Sequence, residues 1–175
     1  MTYYEYEETP SNFIHYNTCQ EEKIMQELYH VSGTLNEGFV GQISYTICLE
    51  EEYRNLDIHF TFDKQHHTEA TDELIAKIQK LCYDKYGIAD YPEEEARNLI
   101  FGEAKTEIHT MATLNDQFIG CIHRQATDRH MLYQNNEASE GCIAQSSFDG
   151  VLKVTILVFN VILDNTNYTL SVSAE

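Results

Sequence analysis

Two stretches, FVGQISYTICLE at 39–50 and LDIHFTF at 56–62, alternate apolar and polar residues with few faults. In the first, Phe39, Ile43, Tyr45, Ile47 and Leu49 point one way, and Val40, Gln42, Ser44, Thr46 and Cys48 the other. In the second, Leu56, Ile58, Phe60 and Phe62 oppose Asp57, His59 and Thr61. Period two is the mark of a strand with one dry face and one wet face. The polar turn EEEYRN stands between the two runs, and the pair is predicted to form an antiparallel hairpin. His59 then belongs to the wet face.

The rest of the chain is read against this hairpin. Residues 1–10 read as a frayed acidic arm and NFIHYN, 12–17, as a short strand. Thr18 and Glu21 fit a capping box for a helix that carries Ile24, Met25, Leu28 and Val31 on one face and stops at Gly33. A second helix is predicted from an N-cap at Thr68 to Tyr86, with Leu74, Ile75, Ile78, Leu81 and Cys82 as its core stripe and Gly87 as its stop. A third starts near Pro92 and ends at Gly102. Beyond it, TEIHTMATLNDQFIGCIHRQ reads as two strands about an Asn115-Asp116 turn. Residues 125–140 read as a polar loop and GCIAQSSF as a short strand. VLKVTILVFNVIL is apolar on both faces, as in a central covered strand, and YTLSVSA closes the fold. The sum is an α+β protein: one compact domain over 1–175, with an antiparallel sheet of about six to eight strands and two or three helices packed mainly on one face.

Charge narrows the function. Eleven Lys and Arg stand against 29 Asp and Glu, a net charge of −18. Such a chain repels nucleic-acid phosphates and anionic lipid. The acidic start MTYYEYEETPSNF has no apolar signal-peptide core, and the longest apolar run is too short to cross a bilayer, so a cytoplasmic protein is expected. Five scattered cysteines, none in a CxxC pair, suit reduced thiols. Tyr3, Tyr4, Tyr6 and Tyr16 crowd the N-terminus, as a contact surface or the closing edge of a sheet.

Few residues carry the pattern of a reactive site. Glycine-rich phosphate loops, GxSxG and HExxH are all missing. His66 and His67 are adjacent, so their side chains diverge in an extended loop. His59 and His67, with Glu69 as an oxygen donor, are the candidate metal ligands, with zinc as the candidate ion. The competing reading of the same stretch is a polar loop ahead of a helix cap. His109 and His123 flank the Asn115-Asp116 turn. In a two-residue hairpin His109 sits opposite Ile122 and His123 opposite Ile108, on opposite faces; a register one residue longer puts the imidazoles together. Cys121 and His123 share a face at i, i+2, the spacing at which an imidazole activates a thiolate, or of a core cysteine beside a half-buried histidine.

The preferred reading is a non-catalytic binding or protein-interaction domain, forming a homo-oligomer or docking on a protein partner. The alternative is a metal-dependent hydrolase built on His59, His67 and Glu69. A further alternative is an acidic inhibitor or nucleic-acid mimic.

Overall fold

The computed structural model describes residues 25–123 and 126–175. The arm at 1–10, the strand expected at 12–17, the capping pair Thr18 and Glu21, and the four N-terminal tyrosines lie outside the described residues. In chain order the described elements are β1 (Gln26–Leu35), β2 (Gly41–Tyr53), β3 (Leu56–Phe62), α1 (Asp72–Tyr86), α2 (Glu93–Gly102), β4 (Glu107–Leu114), β5 (Gln117–Ile122), β6 (Asp128–Gln134), β7 (Glu137–Ala138), β8 (Phe148–Asn160) and β9 (Thr166–Ala174).

The strands form two antiparallel sheets. One has five strands in the order β1-β9-β3-β6-β7, the other four in the order β2-β8-β4-β5. Their inner faces share one core. Ile47 and Leu49 of β2 and Leu152, Val154, Ile156 and Val158 of β8 belong to the same buried cluster as Leu56, Ile58 and Phe60 of β3 and Leu170 and Val172 of β9. Tyr45 of β2 ties the layers with a 2.7 Å hydroxyl contact to Tyr168 of β9, and Tyr133 of β6 donates to the Ile119 carbonyl of β5 at 3.1 Å.

This corrects the α+β expectation. Sheet covers sheet, and the helices do not supply the cover. The two helices bury Ile75, Ala96 and Ile100 in a small core of their own, with Leu74, Ile78 and Tyr91 around it. The predicted 39–62 hairpin is also corrected. β2 and β3 are consecutive but belong to opposite sheets, β2 pairing with β8 and β3 with β6 and β9. A sandwich strand that crosses between layers has the same alternation as a hairpin strand, because each still has one face in the core.

The helix predicted over 18–33 is replaced, within the described residues, by β1, which pairs with β9 along its length. A bulge between Glu27 and Tyr29 leaves both Leu28 and Tyr29 half-buried. That break in the alternation imitates a helical i, i+3 spacing. The loop predicted over 125–140 contains β6 and β7, joined by Asn135-Asn136, both in the left-handed region at φ 54° and 62°. The strand expected in GCIAQSSF is a single bridge between Cys142 and Gly120.

Other expectations hold wholly or in part. β8 is central in its sheet, between β2 and β4, but only its inner face is covered, since Val151 and Phe159 are 42% and 52% exposed. Asn115 and Asp116 form a two-residue turn at φ 50° and 63°. The first helix ends at Gly87, at φ 71°, but begins three residues later than predicted, with Thr71 Oγ1 accepting from the Leu74 amide at 3.2 Å. Among the described residues no helix is long and apolar enough to cross a membrane.

Candidate functional site

The outer face of the five-stranded sheet is polar, and register decides what meets there. His30 of β1 pairs with Ser171 of β9, Ser171 with His59 of β3, and His59 with His130 of β6. Residues directly opposite in a ladder share a face, so these four form one row across the sheet. The His59 and His130 rings stack with centroids 3.9 Å apart and planes 6° apart.

Two carboxylates bracket the pair. His59 Nε2 lies 2.8 Å from Asp128 Oδ1, and His130 Nε2 lies 3.7 Å from the same oxygen. On its other side His130 Nδ1 lies 3.0 and 2.9 Å from the two oxygens of Asp57. A carboxylate only accepts, so Nδ1 of His130 donates to Asp57. His59, His130 and Asp128 each offer one ligand atom, all within 4.8 Å of one another. His59 is half-buried, while Asp128 and His130 are exposed.

The strand under these residues is unusual. β6 turns Arg129, Met131 and Tyr133 inward and Asp128, His130, Leu132 and Gln134 outward. Arg129 is only 5% exposed. Its guanidinium lies 5.0 Å over the Phe60 ring and 5.7 Å from that of Phe62, and Nη1 donates to the Ile108 carbonyl. Burial lowers its pKa to about 10, so it stays charged at neutral pH. An arginine in the core register is what presents His130 and Asp128 to solvent.

Of the residues predicted as metal ligands, His59 is in this cluster. His67 and Glu69 line a groove elsewhere, with Thr71 and Lys77 of the helical region, Glu37 and Leu163. Lys77 Nζ donates to Glu37 Oε1 there at 2.6 Å. Burial lowers the pKa of His67, which favours its neutral form. His66 forms a bridge with Lys105. The partners that the structure gives His59, namely Asp128 and His130, are hidden in the sequence because residues 125–140 read as a loop. The signal in the sequence is limited to Met131 and Tyr133 at i, i+2, followed by the turn pair Asn135-Asn136.

The outer face of the four-stranded sheet is different in kind. A bulge between Ala112 and Thr113 shifts the β4–β5 register, so that Thr110, not His109, faces Ile122. The turn has two residues, yet His109 and His123 share a face with centroids 5.9 Å apart, and Phe159 of β8 packs on His109 at 4.5 Å. Cys121 lies beside them, but burial pushes its thiol pKa up. An activated nucleophile needs the reverse, so the half-buried reading of Cys121 is the one the geometry favours. Around these residues Phe118, Val151 and Phe159 are 49%, 42% and 52% exposed.

No curated protein and no solved structure matches the chain. A family model described as a family of unknown function matches residues 25–175, a span that takes in both sheets and the helical pair. By that match the chain belongs to the DUF6669 family.

Proposed function

We propose that the protein is a non-catalytic interaction domain that pairs with a second copy of itself through the outer face of the four-stranded sheet. The observation that carries this reading is the set of apolar side chains on this face: Val151, Leu157 and Phe159 of β8, with Met111 of β4 and Phe118 of β5 beside them, and Lys153 and Thr155 between Val151 and Leu157. Large exposed apolar patches mark contact surfaces.

Charge supports a second copy as the occupant. Two chains of −18 repel each other wherever their acids meet. The middle of this face is free of acid, which gathers at its ends in Glu50, Asp149 and Glu107. Across β2, β8 and β4 the ladder reads Gln42-Leu157-His109, Ser44-Thr155-Met111 and Thr46-Lys153-Thr113. Its one cation among these, Lys153, lies 3.7 Å from Asp116, and Glu107 is engaged by His109 at 3.1 Å.

Light scattering on a size-exclusion column tests the proposal. The wild-type chain is expected as a dimer between about 0.1 and 1 M salt, where the screening length falls from ~10 to ~3 Å. Phe159→Asp is expected to be monomeric with an unchanged melting temperature, since its side chain is half-exposed. A monomeric wild type throughout, or a Phe159→Asp dimer, overturns the reading. A dimer that dissociates in high salt points to a charged interface elsewhere and overturns it as well.

A further inference from the structure

The sheet face opposite the proposed interface brings three possible ligand groups within 4.8 Å of one another: His59, His130 and Asp128, whose Oδ1 contacts Nε2 of both histidines. We propose that this set binds one divalent first-row transition ion, zinc being the representative, with Asp57 as the positioning residue behind His130.

Spacing is the first support. Ligand atoms about 2.0–2.1 Å from a tetrahedral zinc ion lie ~3.3 Å from each other. The Asp128 oxygen stands 2.8 Å from one imidazole nitrogen and 3.7 Å from the other, which brackets that value. β3 and β6 fix the two histidines directly opposite each other, and Asp128 is two residues before His130 on the same face.

The second support is behind the ligands. A ligating histidine ordinarily gives its other N–H to a carboxylate, which fixes the tautomer and aims the free nitrogen. Asp57 does this for His130 through Nδ1. His130 Nε2 and Asp128 Oδ1 face each other at 3.7 Å, so a cation seated between them would take both as ligands.

The chemical class follows from the donors. Two imidazoles and one carboxylate suit zinc and its first-row neighbours, whereas magnesium and calcium prefer oxygen alone. The remaining coordination positions face solvent, since Asp128 and His130 are exposed. One rearrangement is required. The imidazole planes lie 6° apart, so their in-plane lone pairs run nearly parallel, and one ring must turn about its Cβ–Cγ bond to converge on the ion. Zinc binding therefore unstacks the pair. The proton that His59 Nε2 shares with Asp128 moves to Nδ1 by exchange with water, leaving Nε2 to coordinate. His30, in the same row, is three strands away from His130 and is engaged by Glu27 at 3.6 Å.

The test is calorimetric titration of the full, untagged chain with zinc chloride, alongside long-range ¹H–¹⁵N spectra of the histidine rings. One zinc per chain is expected, with magnesium and calcium giving no binding. His59→Ala, His130→Ala and Asp128→Asn are each expected to weaken binding at least ~10-fold, and Asp57→Asn about 10–100-fold. The spectra add a readout that a general loss of structure would not imitate. Zinc is expected to shift Nε2 of both His59 and His130, and Asp57→Asn to abolish the fixed Nδ1–H form of His130 before any metal is added. All four side chains lie on the outer sheet face, so circular dichroism and melting temperature serve as fold controls, and Asp128→Asn keeps the shape of the residue. Absent binding to the wild type overturns the proposal. So does binding unchanged in both His130→Ala and Asp128→Asn, or binding lost in His67→Ala or His109→Ala instead. None of these results depends on whether the chain dimerises.

Discussion

Replacing Gly33 with alanine tests the position of β1 in the sandwich. Gly33 faces Tyr168 across the β1–β9 ladder. A Cβ at Gly33 would stand 2.3 Å from Tyr168 Oη, 2.4 Å from Cζ and 2.6 Å from Cε1. The tyrosine cannot simply swing away. It is 5% exposed, its ring lies against Phe60 at 6.1 Å, and its hydroxyl is held by Tyr45. Overpacking of this kind costs about 1–3 kcal/mol. Breaking the tie between the two hydroxyls adds roughly 1 kcal/mol. The better conformational entropy of alanine returns about 0.5–1 kcal/mol. The net expectation is a loss of about 1–3.5 kcal/mol, which for a domain of this size lowers Tm by roughly 2–14 °C. Urea unfolding followed by circular dichroism measures it. A helix C-cap at Gly33 would also resist alanine, so the deciding experiment is a double-mutant cycle. Tyr168→Leu removes the Cζ and Oη atoms that the new methyl would strike. If β1 lies where it is described, the double variant is less destabilised than the sum of the singles by at least ~1 kcal/mol. Strict additivity, or a Gly33→Ala loss within about 0.5 kcal/mol, would refute the placement of β1.

Gly102 is the contrasting case: a Cβ there meets nothing within 4 Å, so Gly102→Ala in the last turn of α2 is expected to be neutral or to stabilise by up to ~1 kcal/mol, read by the same urea titration. Asn115 anchors its turn from both sides, Nδ2 donating to the Asp149 carbonyl at 3.0 Å and Oδ1 accepting from the Val151 amide at 2.8 Å; Asn115→Ala is expected to cost about 1–3 kcal/mol in thermal melts. Burial holds the hydroxyls of Tyr133 and Tyr45 above their ordinary value of 10.0, with Tyr168 adding to the effect at Tyr45. The folded state therefore keeps protons that the unfolded chain releases, so stability is level below about pH 10 and falls above it. Urea midpoints between about pH 8 and 11 measure this, and Tyr133→Phe is expected to flatten the decline.

Legibility in the sequence followed the purity of the alternation. β3, β8 and β9 keep their inward positions apolar, and each was readable from Leu56 to Phe62, Val151 to Val158 and Tyr168 to Val172. The strands that were missed break the rule for local reasons. In β1 the bulge after Glu27 puts Leu28 and Tyr29 side by side in partly dry positions. In β6 the first inward residue is an arginine and an outward one is Leu132, which inverts the usual hydropathy. Pairing partners were not readable at all, because alternation reports that a strand has a dry face and says nothing of which sheet supplies the other half of the core.

The same limit governs the candidate sites. His59 was placed on a wet face by its own strand, but its partner was fixed by β6, and the register of β6 depends on Arg129 being inside. Slide β6 by one residue and His130 and Asp128 turn into the core beside Phe60, while Arg129 emerges into water. The aromatic faces of Phe60 and Phe62 make the inward arginine tolerable, so two core phenylalanines on β3 help to decide which residues stand beside His59 on the opposite face of that strand. The β4–β5 bulge acts in the same way on the other sheet, moving His123 from the face opposite His109 to the face beside it. In both sheets an irregular position in or facing the core selects the surface chemistry, and a chain read one strand at a time cannot reveal that choice.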